Sequence, residues 1–210
     1  AAPVVGHRGR VEDLAAAGFP PAAVNTVLVG SGATLRATGD LGAGNDVLDL
    51  AGVLNTGAGT LTLGTNNDTF ILRDGASILG ALDGGAGVNT LNADIAGLAD
   101  LGAVSLFQTL TKTGAGTLNI NNAVSGLTTV NANAGTLNVA AAGSISGVVT
   151  TAVANGATLN VAGSYTGSAG NDAWTVANNR LHDTTGTFGG TGVQIEGPNE
   201  GAPNTVIRDN

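Results

Sequence analysis

The stretch Leu110–Val139, LTKTGAGTLNINNAVSGLTTVNANAGTLNV, contains one short phrase twice, as GAGTLNI (Gly114–Ile120) and as NAGTLNV (Asn133–Val139). Leu118 and Leu137 hold the same place in the two copies, a step of 19 along the chain. In each copy a glycine turn feeds a run in which Leu and Ile or Val alternate with Thr and Asn. That period of two belongs to a strand with one apolar and one polar face. A third copy, NGATLNV (Asn155–Val161), sets Leu159 a further step of 22 beyond Leu137. A unit this small cannot bury its apolar stripe alone. Stacked copies can, so the repeat predicts a solenoid.

Upstream the same length recurs in different words. Asp46 in GNDVLDL, Asp68 in NNDTFIL and Asn89 in GVNTLNA follow one another at steps of 22 and 21, and each precedes Leu48, Phe70 or Leu91 by two places. Those three apolar residues are expected to lie over one another. A second column, offset by about half a coil, is read as Leu61, Leu82, Leu106, Leu127 and Val148, at steps of 21 or 24. Two registers with one period are what a wound chain produces. The fold class is therefore all-β, a parallel β-helix with about 20–22 residues per coil. Eight or nine coils at about 4.8 Å each would make a rod about 40 Å long.

Composition supports this. Glycine supplies 35 of 210 residues, 42% are hydrophobic and only 3% are aromatic, so small and branched side chains must do the packing. A narrow solenoid interior asks for no more. Fifteen acids against seven bases give a net charge of −8, and the sole lysine is Lys112. Such a surface repels nucleic acid and anionic lipid, whose binding needs clustered Lys or Arg. The chain has no cysteine, so its fold does not depend on disulfides. It has no apolar run long enough to span a membrane as a helix and no signal-peptide pattern at AAPVVGHRGR.

The run FQTLTKTGAGTLNINNAVSGLTTVNANAGTLNV (Phe107–Val139) closely resembles the passenger-associated repeat of Gram-negative autotransporters, in which Leu-Thr-Lys-Thr-Gly-x-Gly-Thr-Leu opens a rung. GNDVLDLAG (Gly44–Gly52) and LDGGAGVNTLNADIAG (Leu82–Gly97) are similar to the Gly-Asn-Asp-rich rungs found upstream in such passengers. The resemblance covers roughly residues 30–176. It implies a right-handed parallel β-helix, secreted or displayed at the bacterial surface, with an outer-membrane barrel lying outside these 210 residues. It does not imply a particular activity.

Three segments are expected. Residues 1–22 form an N-terminal cap, with one short helix over Arg10–Gly18 because Val11, Leu14 and Ala15 fall at helical spacing. Residues 23–176 form the coils. Residues 177–210 are turn-rich, with strands at Gly192–Ile195 and Asn204–Arg208, a loop between Gly197 and Pro203, and a last coil or a cut end. An outward ladder is expected from Asn92, Asn119, Asn138 and Asn160, accompanied by Thr90, Thr117, Thr136 and Thr158. A wet β-face accounts for it more simply than a flat glycan- or ice-binding surface does.

The motifs for chemistry are thin. LGAGNDVLD (Leu41–Asp49) and GSAGNDAWT (Gly167–Thr175) approach the calcium-binding nonapeptide of β-roll proteins, with Asp46 and Asp68 as the calcium candidates. That site needs tandem repeats of the nonapeptide, whereas these turns recur at steps of 21 or 22, so no metal site is assigned. Asp46, Asp49, Asp68 and Asp83 are the carboxylates a polysaccharide-cleaving β-helix enzyme could use, although turn capping explains them as well. His7 and His182 accompany no nucleophile motif and are read as lone surface histidines in loops. No catalytic residue and no cofactor is assigned.

Three functions stay open. The first is a non-catalytic passenger stem or adhesin, with a host protein or glycan as partner. The second is a polysaccharide-degrading enzyme, and the third a calcium-dependent adhesin. Paired carboxylates at a groove would favour the second, and calcium-dependent melting the third.

Overall fold

The strand that follows each Gly-Asn-Asp or Gly-Gly turn has its apolar residues two apart. It can bury them only by lying over the matching strand of the next coil. The computed structural model describes residues 24–167 in full and, outside them, the backbone of several strand segments. The chain is all-β among the described residues, a parallel β-solenoid of about seven turns. One sheet stacks nine strands in sequence order, from Val4–His7 through Thr26–Val29, Val47–Leu50, Thr69–Arg73, Thr90–Asp94, Thr109–Thr113, Thr129–Ala132 and Thr150–Val153 to Ala173–Val176. All eight pairings are parallel.

Their register stacks Val27, Leu48, Phe70, Leu91, Leu110 and Val130 into one inward column, as the spacing of the Asp and Asn turns predicts. The second sheet carries Leu118, Leu137 and Leu159 directly over one another, all buried. Burying a leucine contributes about 2 kcal/mol. The interior therefore accumulates stability rung by rung, each rung supplying the surface on which the next is buried. Phe70 and Phe107 fill wider places, with ring centroids 6.0 Å apart and the planes tilted by 50°.

Three details differ from the sequence reading. Val11–Leu14, expected in a helix, is a strand in parallel register with Thr34–Ala37. A neighbouring strand edge satisfies every second backbone group of a short segment, and that outweighs a weak helical periodicity. The rest of Arg10–Gly18 lies outside the described residues. The second column continues from Leu61 and Leu82 to Val104, Val124, Ile145 and Tyr165, without passing through Leu106, Leu127 or Val148. Leu106 instead sits exposed in a left-handed turn at φ 57°, and Phe107 beside it is buried. Leu82 pairs with Val104, a step of 22 that matches the step of 21 from Leu61 to Leu82, so the step of 24 to Leu106 overshoots the column by two residues and lands in the turn.

The third difference concerns the amide ladder. Asn119, Asn138 and Asn160 are in register in one sheet, but Asn92 belongs to the other, between Ile71 and Thr111. Thr90 likewise joins Thr69, Thr109, Thr129 and Thr150 in a separate threonine row. Near the C-terminus, Val193–Ile195 and Ile207–Asp209 pair antiparallel, close to the two strands expected there. The Gly197–Pro203 loop lies outside the described residues.

Candidate functional site

The Asp and Asn turns do more than cap. Asn25, Asp46, Asp68 and Asn89 are all buried and stack in successive coils. The side chains of Asp46, Asp68 and Asn89 each reach back one rung to accept a backbone N–H. Asn25 donates to Asp46 Oδ1 at 2.5 Å, Asp46 to Asp68 Oδ1 at 2.7 Å, and Asp68 to Asn89 Oδ1 at 2.8 Å. Asn89 N–H in turn reaches Gln108 Oε1 at 2.5 Å. One side-chain oxygen per rung thus satisfies the amide exposed where the chain enters its strand, a position the sheet ladder leaves unpaired.

The second atom of each terminus separates asparagine from aspartate. Asn89 Nδ2 donates to the carbonyls of Gly84, Gly85 and Leu106, at 2.9, 3.2 and 3.0 Å. Asn25 Nδ2 donates to Leu41 O at 3.0 Å. Asp46 Oδ2 and Asp68 Oδ2 are buried without a hydrogen-bond partner. Desolvation pushes both carboxyls up from their ordinary range, Asp68 to about 6, against the lowering effect of the backbone N–H each accepts and, at Asp46, of the Asn25 side chain as well.

The four acids weighed as catalytic or calcium residues do not converge. Asp46 and Asp68 are inside the coil. Asp49 faces out and grips Arg73 through both carboxylate oxygens, at 2.6 and 2.7 Å, an ion pair that raises the arginine's pKa. Asp83 accepts from Gly85 N–H and Ser105 Oγ. Among the described residues no three His, Cys, Asp or Glu side chains are grouped to hold a metal. His7 and His182 fall in strand segments rather than in the loops expected for them, and their side chains, like that of Trp174, are outside the described residues.

A second interior polar group escapes a reading of the sequence by motif. Lys112 is fully buried, and its Nζ donates to the carbonyls of Thr113, Gly114 and Ala134 at 2.7, 2.8 and 3.1 Å. Its register partners are Ala93 and Ala132, small enough to leave a lysine room inside. Burial lowers its pKa. The signal is present in the sequence: Leu110 faces inward, so Lys112, two places on, must also.

The outward face is quieter. Asn138 Nδ2 donates to Asn119 Oδ1 at 2.8 Å, and Asn119 Nδ2 to Asp100 Oδ1 at 3.0 Å, so the expected ladder forms here with Asp100 at its head. It runs alongside the threonine row Thr117, Thr136 and Thr158. No protein-family model, curated protein or solved structure matches this chain.

Proposed function

We propose that this chain is a non-catalytic passenger segment of a bacterial autotransporter, secreted or displayed at the cell surface as an adhesin or a stiff stem. The observation that carries the reading is the Leu-Thr-Lys-Thr-Gly-x-Gly-Thr-Leu run at Leu110–Leu118. Its Leu110, Lys112 and Leu118 all face the interior of one rung. The residues that make the phrase recognisable are thus the ones that bind neighbouring coils together, as a structural repeat of a long passenger requires. A chain without cysteine threads a narrow pore without cross-linked loops. Each completed rung then offers an inward stripe and a strand edge on which the next can fold. The stem carries its turns away from the cell, where a host protein or glycan is met. The translocating barrel belongs to sequence beyond this segment.

The test is topological. An epitope placed in the exposed Asn155–Gly156 turn should be labelled by antibody on intact cells of the natural host, and external protease should remove it. Labelling only after the envelope is permeabilised would overturn the proposal.

A further inference from the structure

The amide-and-acid column poses a problem in charge. At its two asparagine rungs, the terminal Nδ2 donates to main-chain carbonyl oxygens. At the two aspartate rungs between them, Oδ2 is sealed from solvent with no partner. The lining is continuous. Ala43, Thr65 and Ala86 are bridged in parallel, so Leu41, Leu63 and Gly84, two places before each, are equivalent positions. Leu41 O and Gly84 O are already acceptors for Asn25 and Asn89. An ionised carboxylate has no hydrogen to offer such a lining, and buried, unpaired charge is costly.

We propose that Asp46 and Asp68 fold as neutral carboxylic acids, each donating its proton to the carbonyl lining as the flanking asparagines do, so that this part of the solenoid tightens as the medium acidifies.

The electrostatic surroundings agree. Asp46 is opposed by Asp40, and Asp68 by Asp46 and Asp40, and among the described residues no cation contributes to either carboxyl. Asp40, on the exposed side, accepts Gly42 N–H. Of the other charged groups near these strands, Asp49 and Arg73 neutralise each other outside, and Asp83 accepts Gly85 N–H and Ser105 Oγ. Asn25 and Asn89, above and below, are uncharged; hydrogen bonds from the Asn25 backbone and side chain lower the pKa of Asp46, but desolvation outweighs them. A proton needs no added volume at two sealed oxygens. A hard cation needs several more oxygen ligands, and no third acid is grouped with these two among the described residues. The direction follows from linkage. The folded carboxyls hold their protons to higher pH than the ordinary value of 3.8, so stability is fully present below that value and is lost as pH rises through about 6 for Asp68.

The experiment is urea unfolding of the whole chain at about pH 5 and about pH 7.5, for the parent and for Asp46→Asn/Asp68→Asn, with and without EDTA or added calcium. The expected result is a higher midpoint for the parent at the lower pH. The double variant should match or exceed the parent at about pH 7.5 and lose most of the pH dependence. Carboxyl carbon shifts by NMR on the parent, which need no variant to fold, should show two acids titrating well above the ordinary aspartate range. Ordinary titration, or a parent more stable at about pH 7.5, would overturn the proposal. So would a calcium-raised midpoint that the double variant lacks, which would make the pair a cation site.

Discussion

Lys112 shows how much one residue can hold. Its ammonium ties the carbonyls of its own turn, Thr113 and Gly114, to Ala134 in the next coil. Lys112→Met keeps the chain length and removes the donor, leaving three part-buried carbonyls to find other partners. The expected cost is about 1–3 kcal/mol, measured by urea unfolding. Leu137→Asp sets a charge between Leu118 and Leu159 and should cost about 4 kcal/mol or more. A variant that melts like the parent would place Leu137 outside the core. Glycines divide by what surrounds them. Gly114 has φ +75°, and an added Cβ would meet Ile95 O at 2.3 Å, whereas Gly156 has φ +80° with nothing within 4 Å. Gly156→Ala should therefore cost about 1–2 kcal/mol of backbone strain alone, and Gly114→Ala distinctly more. Equal losses in thermal melts would contradict that packing.

At the level of the element, one coil is a removable unit. Leu118 and Leu137 are register partners, so excising residues 118–136 joins Thr117 to Leu137 and leaves every inward column intact. Excising one residue fewer shifts the next strand by one and turns its Leu and Val outward. The first deletion should keep the parent's circular dichroism and a cooperative melt, and the second should not. The same arithmetic explains what is legible in the sequence. The three leucines of the repeated phrase and the Leu48, Phe70 and Leu91 column can be read because turns and strands there repeat together. Leu106 falls off its column because the step of 24 that reaches it overshoots the true step of 22 to Val104, and a leucine in a left-handed turn looks in sequence like one in a strand. Val11–Leu14 reads as helix because so short a segment carries too little pattern to reveal a strand edge offered from elsewhere in the chain. Asp46 and Asp68 stand two places before the inward Leu48 and Phe70, so alternation alone places them inside, as it does Lys112. What local sequence does not contain is the partner each oxygen reaches, because that partner belongs to another rung.

Across the whole molecule, neighbouring coils must lie at one strand spacing, in register, over the length of the shaft. The chain has no cysteine, so introduced pairs report on that alone. Asn119 and Asn138 are partners in adjacent rungs, about 4.8 Å apart at Cα, within the reach of a disulfide. Asn119 and Asn160 are two rungs apart, about 9.6 Å, and beyond it. Mild oxidation should lock Asn119→Cys/Asn138→Cys as a monomer with a raised thermal midpoint and leave Asn119→Cys/Asn160→Cys reduced. If the distant pair closes and the adjacent pair does not, the chain does not wind as described.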